Sequence, residues 1–120
     1  MDNTTANYTD SRGTITDILV TPEYAITQVT FTPNAVRGNH YHKETTQIDI
    51  ITHGKLLCVY KEGKMVYERI VTKGDTITHL PNVPHAYKAL DSAELVTTCI
   101  GPRKGEDYEI DTFKLETPLL

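Results

Sequence analysis

Short runs in which β-branched or aromatic residues mix with polar ones recur along the chain, and this is the pattern of β-strands. Each run is six to eight residues long and is bounded by glycine, proline or charged clusters. The predicted strands cover residues 14–20, 24–31, 47–52, 55–60, 64–71, 75–80 and 94–100. No window of a dozen residues carries the i, i+3, i+4, i+7 apolar spacing of an amphipathic helix. The pattern predicts an all-β protein.

Short turn-like connections separate most of these runs. They lie at residues 21–23, 53–54, 61–64 and 73–74 and contain proline or glycine beside polar residues. Strands joined so closely are expected to pair as antiparallel hairpins. Many short strands with frequent turns favour a sandwich or a barrel. We expect a polar N-terminal segment, residues 1–13, followed by a single barrel domain over residues 14–120.

Two segments depart from the strand pattern. Residues 32–46 are polar and contain Pro33 and Gly38, and the tail from Gly101 is charged and weakly patterned. The charged stretch 103–111 is expected to be exposed, or to pack over the barrel or a neighbouring subunit. In a barrel this short an open edge is commonly covered by a second copy of the chain, so a homodimer is predicted.

Composition narrows the classes of partner. The 120 residues suit one domain, and 12 Lys and Arg against 16 Asp and Glu give a net charge of -4 without a basic block. We therefore expect a small-molecule substrate rather than nucleic acid or a membrane as the partner. No apolar run approaches the ~18 residues that cross a bilayer. The first residues are polar and lack the apolar segment of a secretory signal, which predicts a cytoplasmic location.

The two cysteines are predicted to be buried free thiols. Cys58 and Cys99 each lie inside an apolar strand-like run, and they do not form a Cys-x-x-Cys pair. Two cysteines are also too few for a disulfide framework.

Three of the five histidines form a pattern that suits chemistry. His40 and His42 are two positions apart, so in a strand both imidazoles point to the same face. Gln47 follows five residues later, and His85 comes after the turn Leu80-Pro-Asn-Val-Pro84. Three imidazoles and one oxygen suit a borderline divalent metal such as Zn, Ni, Fe, Mn or Co. Imidazole is equally suited to metal-free acid–base catalysis near neutral pH.

Two stretches of the chain resemble known signature motifs. From Gly38 the chain reads GNHYHKETTQIDIITHG, and from Gly74 it reads GDTITHLPNVPHAY. In their order, separation and glycine-to-histidine spacing they resemble the two motifs of the cupin superfamily. The resemblance covers residues 25–100, and it implies a small jelly-roll barrel (a double-stranded β-helix) with its site inside.

The chain departs from the cupin motifs at several positions. Asn34 and Asn82 stand where the family usually has glycine, and Ala89 where it has asparagine, while the motif proline is shifted to Pro81. Asparagine tolerates the left-handed conformation, so these turns are expected to form. Gln47 replaces the usual glutamate. The amide keeps an oxygen ligand but removes a negative charge, so metal binding is expected to weaken.

A shorter phrase carries a finer resemblance. Val36-Arg-Gly-Asn-His-Tyr-His-Lys43 is similar to the Arg-Gly-x-His segment of cupins that act on nucleotide-linked deoxysugars. These are the 3,4-ketoisomerases, which also have glutamine at the place of Gln47, and the cupin domain of capsular polysaccharide assembly enzymes. In those enzymes the resemblance implies proton transfer by the paired histidines without a metal.

Other polar side chains are weaker candidates. Arg37 could clamp a diphosphate or carboxylate, or lie on the surface. Tyr24, Tyr41 and Tyr87 could line a pocket or pack in the ordinary way. His79 shares a strand face with Ile77, so it is either an additional site residue or a core histidine with a polar partner.

The leading hypothesis is an enzyme that isomerises or epimerises a small keto substrate, such as a nucleotide-linked deoxysugar. His40 and His42 would transfer the proton, Arg37 would orient the phosphate end, and Tyr24 or Tyr87 would close the pocket. In a second hypothesis His40, His42, Gln47 and His85 hold a metal for oxygenase, isomerase or hydrolytic chemistry. A third is a non-catalytic cupin that binds a small ligand. The fold does not choose among them.

Overall fold

A computed structural model of the chain describes residues 7–102 and 110–120. These residues form the eleven strands β1 Tyr8–Asp10, β2 Gly13–Val20, β3 Tyr24–Phe31, β4 Val36–Tyr41, β5 Thr46–His53, β6 Lys55–Glu62, β7 Met65–Thr72, β8 Thr76–His79, β9 His85–Ala89, β10 Ala93–Ile100 and β11 Phe113–Lys114. The described part of the chain contains no helix that is long and apolar enough to cross a membrane.

The strands form two antiparallel sheets of a jelly roll. One sheet has the order β1-β2-β3-β10-β5-β8, and the other has the order β11-β4-β9-β6-β7. Within the first sheet β10 lies between β3 and β5 and pairs with both, although it is far from them in sequence. This arrangement confirms the predicted all-β jelly-roll fold.

The seven predicted strands correspond to β2, β3, β5, β6, β7, β8 and β10, whereas β1, β4, β9 and β11 lie outside the predicted runs. Strand β4 falls inside the polar segment that the alternation pattern set apart, because a bulge interrupts its alternation between Gly38 and His40. Strand β9 is buried at nearly every position, so it shows no alternation of apolar and polar residues.

A bulge in β4 brings its histidine to the inner face. Gly38 pairs with Ala86 of β9 and His40 pairs with His85, so Asn39 is the extra residue. Gly38 has a φ of +93°, and a Cβ there would lie 2.9 Å from the carbonyl oxygen of His85. Only glycine fits this approach without displacing the backbone of β9.

Asparagines make the turns where the family motif has glycine. Asn34 and Asn82 have φ values of 70° and 66°, in the left-handed region. The expectation that asparagine would replace glycine in these turns is confirmed.

The interior changes from apolar to polar along the strands. On β5 the inward side chains run from Ile51 through Asp49 to Gln47, and all three are buried. The neighbouring β8 changes in the same direction, from Ile77 to His79. Apolar side chains such as Leu56 and Val71 complete the core. One end of the barrel is therefore an ordinary hydrophobic core, and the other is lined by polar groups.

Cys58 and Cys99 are both buried thiols outside any disulfide, which confirms the sequence prediction.

The C-terminal segment packs against the barrel. Strand β11 pairs with β4, and the side chain of Asp111 is only 3% exposed. Of the two expectations for residues 103–111, exposure or packing over the barrel, the second holds at Asp111, because its carboxylate accepts backbone N–H groups from the loop after β4. Residues 103–109 lie outside the described part of the chain.

Candidate metal centre

Three imidazoles meet at the polar end of the barrel. The ring centroid of His40 is 4.9 Å from that of His42 and 4.8 Å from that of His85, and the centroids of His42 and His85 are 5.4 Å apart. One ring nitrogen from each histidine lies within 4.8 Å of the other two. Side chains that are more than forty positions apart in sequence therefore converge on one point.

The sheet containing β4 and β9 positions this cluster. His40 is directly opposite His85 in the antiparallel pair, and His42 follows β4 at the next position on the same face. His42 and His85 are each 1% exposed, whereas His40 is half-buried.

His85 presents a lone pair to the cluster. Its Nδ1 lies 3.0 Å from the carbonyl oxygen of Val83, which can only accept, so Nδ1 carries the proton. Its Nε2 is buried and has no hydrogen-bond partner in the described part of the chain. Burial, with the nearby His79 and His40, holds the pKa of His85 well below its usual value. The ring is therefore neutral with an unused nitrogen, which is the form that binds a metal.

His42 is fixed in the same tautomer. Its Nδ1 lies 2.8 Å from the carbonyl oxygen of Asp111 and donates to it. Its Nε2 lies 3.0 Å from Oε1 of Gln47. In a neutral His42 these two atoms both present lone pairs, so the contact is favourable only with a proton on Nε2 or with a cation that both atoms bind.

The four predicted ligands fit a divalent cation. Imidazole nitrogens from His40, His42 and His85 and the amide oxygen of Gln47 form a donor set suited to Zn, Fe, Mn, Co or Ni. A cation bound by the cluster would satisfy both the orphaned Nε2 of His85 and the facing lone pairs of His42 and Gln47.

The cluster opens onto a cavity of about 630 Å³, a size that suits small ligands. His40, Gln47 and His85 contribute to its lining, together with Arg37 and Tyr87. His42 is not among the lining residues, and its buried ring has a polar contact at each nitrogen.

Arg37 is a buried cation in the cavity wall. It is 9% exposed, and its guanidinium lies 5.4 Å from the ring centroid of Phe31. One terminal nitrogen donates to the carbonyl oxygen of Thr30, but Nε is buried and has no partner among the described residues. Burial and the charge of Arg12 lower the pKa of Arg37. An unpaired, desolvated guanidinium suits a phosphate or carboxylate.

A polar network lies beneath the cluster, and the sequence reasoning missed its central residue. Asp49 is fully buried, accepts from the Tyr87 hydroxyl at 2.6 Å and from the Gln47 amide at 2.9 Å, and lies 3.3 Å from Nε2 of His79. Burial alone would raise the pKa of Asp49, but His79 and the hydroxyls of Thr97 and Tyr87 hold it below its usual value. Burial and the charge of Asp49 raise the pKa of Tyr87 well above its ordinary value.

A signal for Asp49 was present in the sequence. Asp49 has the same strand parity as Gln47, inside the apolar run QIDII, where a carboxylate is rarely buried without partners. His79 proves to be a buried histidine with polar partners that also touches the site, since its ring stacks on His85.

The remaining candidates lie elsewhere. Tyr24 is not among the cavity-lining residues and pairs with Ile100 at the end of β3. Tyr41 stacks on Phe113, with ring centroids 5.4 Å apart, and is also absent from the lining. Of the three tyrosines named from the sequence, the structure places Tyr87 at the cavity.

Comparisons with known proteins agree with this architecture. A family model described as Cupin matches residues 15–107. The capsular polysaccharide assembling protein CapF from Staphylococcus aureus has a TM-score of 0.82 and 20% identity, over 98% of this chain and 34% of that chain. Oxalate decarboxylase from Bacillus subtilis has a TM-score of 0.79 and 23% identity, over 97% and 32%. Oxalate oxidase in complex with glycolate has a TM-score of 0.64 and 21% identity, over 69% and 44%.

The chain spans less than half the length of each of these structures. No curated protein matches it.

Proposed function

The chain belongs to the cupin family, and from this premise we propose that it is a metal-dependent enzyme that isomerises or epimerises a small keto substrate with an anionic end. A nucleotide-linked deoxysugar is the substrate class we favour. The observation that carries the proposal is the buried Nε2 of His85, which has no partner among the described residues and belongs to a cluster of three imidazoles beside the cavity.

The histidine cluster would provide the ligands of the metal. His40, His42 and His85, with the oxygen of Gln47, would hold one divalent cation. When bound, the cation supplies Lewis-acid stabilisation for the oxygen of a substrate carbonyl. The carbonyls of Asp111 and Val83 orient His42 and His85 by accepting from their Nδ1–H groups, which would leave the Nε2 atoms available to hold the cation.

Arg37 supports an anionic substrate. Its Nε has no partner among the described residues, and the side chain lines the cavity. A phosphate or carboxylate in the cavity could therefore pair with this desolvated guanidinium. The CapF structure is that of a capsular polysaccharide assembling protein, and this resemblance in fold supports the choice of a sugar substrate. The aromatic ring of Tyr87 also lines the cavity.

A second candidate is proton transfer by imidazoles without a metal. It is favoured by the position of His40, which is half-buried and faces the cavity. For this function we favour His40 with His85 over His40 with His42, because His40 and His85 line the cavity while both nitrogens of His42 are engaged. His40 would remove a proton from the carbon next to the carbonyl and would then return the same proton to the neighbouring carbon.

Elemental analysis and ligand screening separate these functions. We expect about one equivalent of a divalent transition metal in protein purified without added metal, and thermal stabilisation by nucleotide-linked keto-sugars. Turnover of a stabilising sugar that is abolished by a chelator supports the metal-dependent isomerase. Turnover in metal-free protein supports the second candidate. Stabilisation without turnover, with or without metal, would identify a ligand-binding cupin instead.

The homodimer predicted from the sequence stays a prediction. The exposed side chains of Met65, Val66 and Ile70 on the edge strand β7 support it, because an open apolar edge favours pairing with another chain. Light scattering on the purified protein tests it directly, and a monomer at micromolar concentration would contradict it.

A further inference from the structure

Asp49 is in direct contact with Gln47, the candidate ligand that would bind a metal through oxygen rather than nitrogen. The amide nitrogen of Gln47 donates to both carboxylate oxygens of Asp49, at 2.9 and 3.1 Å. The two residues are two positions apart on β5, so both side chains point inward from one strand. This contact determines which end of the Gln47 amide faces the histidines.

The carboxylate permits only one orientation of the amide. If the amide were reversed, its oxygen would face the Asp49 oxygens, and two acceptors would be in contact in a buried site. Asp49 therefore keeps Oε1 of Gln47 directed at Nε2 of His42, 3.0 Å away. Gln47 is held as an oxygen donor toward the cluster.

Among the described residues Asp49 is a buried charge with no lysine or arginine partner, and its ion-pair partner is the imidazole of His79 at 3.3 Å. Within the described residues its hydrogen-bond and ion-pair partners are Tyr87, Gln47, His79 and Thr97. A fully buried carboxylate is costly unless positive charge lies close to it. A divalent cation on the histidine cluster would supply that charge, with the Gln47 amide between the two.

We propose that Asp49 is a positioning residue of the metal centre, which supplies through the Gln47 amide the negative charge that a glutamate ligand would carry itself. The inference rests on the proposed metal centre and deepens it. Polarisation by Asp49 increases the electron density on Oε1 of Gln47, so a neutral amide becomes a stronger ligand. The negative charge would then lie one hydrogen bond away from the ligand Gln47 rather than on the ligand itself.

Cobalt(II) binding to the full chain tests this inference with a readout independent of activity. Affinity is measured by chelator competition, and geometry by the visible absorption spectrum of the bound cobalt. Asp49→Asn should weaken affinity by about 10–100-fold and alter the spectrum. Asp17→Asn is the matched control, because Asp17 lines the same cavity but accepts from Thr27 rather than from Gln47. It should leave both readouts unchanged.

The exchanged double variant decides whether charge is the cause. Gln47→Glu with Asp49→Asn keeps one carboxylate and one amide in contact but reverses their order. It should restore affinity to the wild-type level or above, and circular dichroism verifies that it folds. Should Asp49→Asn alone fail to fold, a folded double variant that binds cobalt still supports the inference, and a folded double variant that does not bind overturns it.

The same titration separates this inference from the proposed function. A wild-type chain that binds neither cobalt, zinc nor manganese would overturn the metal centre itself. A wild-type chain that binds cobalt with the same affinity and spectrum as Asp49→Asn would overturn only the role of Asp49.

Discussion

The imidazole of His79 stacks on that of His85, with ring centroids 4.0 Å apart and ring planes inclined by 15°. Nε2 of His79 also lies 2.8 Å from the hydroxyl of Tyr87, which itself donates to Asp49, so His79 donates to the hydroxyl oxygen. One buried ring therefore packs against a candidate ligand and completes the polar network beneath it.

Replacing His79 by phenylalanine should separate these two roles. His79→Phe keeps an aromatic ring against His85 but removes the hydrogen bond to Tyr87 and the contact with Asp49. We expect the free energy of unfolding to fall by about 1–3 kcal/mol, because buried polar atoms lose a partner. Urea denaturation of the wild type and the variant measures the change. Equal stability would show that the His79 contacts contribute nothing to the fold.

Asp111 should stabilise the protein in a pH-dependent way. Burial alone would raise the pKa of Asp111, but the backbone N–H groups of Lys43, Glu44 and Thr45 outweigh it and lower the pKa below 3.8. A carboxyl group whose pKa is depressed by folding stabilises the folded state above its unfolded pKa. That contribution disappears as the pH falls through the lower, folded pKa.

Comparison with Asp111→Asn isolates this contribution from that of other carboxylates. We expect the variant to be less stable than the wild type by about 1–2 kcal/mol at pH 7. The difference should narrow as the pH falls below 3.8. Thermal melts of both proteins between pH 7 and pH 2 measure it. A difference that stays constant over this range would mean that the charge of Asp111 does not hold the loop.

Arg37 should be more important than Arg12 for anionic ligands. Arg37 has a buried Nε without a partner in the described chain, whereas Arg12 is half-exposed and already paired with Asp10 at 2.7 Å. Arg37→Met should raise the Kd for thymidine diphosphate by roughly tenfold or more, because a charged hydrogen bond in a desolvated site is lost. Calorimetry with Arg12→Met as the control tests this, and equal effects of the two variants would contradict it.

The buried thiols should be inert in the native protein. Burial, with the nearby charge of Asp49, raises the pKa of Cys58 to about 12. Thiolate is the reactive form, so almost none is present at pH 8. A thiol-reactive dye should label Cys58 and Cys99 only after unfolding in guanidinium. Rapid labelling of the folded chain would show that the strands around these cysteines open readily.

Much of the fold could be predicted from the sequence, because apolar and polar residues alternate in β2, β3 and β10 or clear turn residues lie at the ends of these strands. Strand β3 spans Tyr24–Phe31, as predicted. Strand β4 escaped detection because the bulge at Asn39 shifts its parity by one position. Local periodicity cannot show such a bulge, since it depends on the pairing with β9.

The candidate site was predictable only in part, for a related reason. Motif spacing brought His40, His42, Gln47 and His85 to attention. The contact of His42 with the Asp111 carbonyl and the contact of Gln47 with Asp49 depend on tertiary packing. The sequence also could not show that Tyr87 lines the cavity while Tyr24 does not. A tyrosine in a strand has the same local pattern whether it faces a cavity or a neighbouring strand.

The metal content of the purified protein tests the central claim most directly, when wild type and His40→Ala are measured side by side. His40 is half-buried, so its removal should leave the β-rich circular dichroism spectrum unchanged. Elemental analysis should find about one equivalent of a divalent transition metal per wild-type chain and almost none in folded His40→Ala. Less than about one-tenth of an equivalent in the wild type, or equal metal in both proteins, would contradict a metal centre at these histidines.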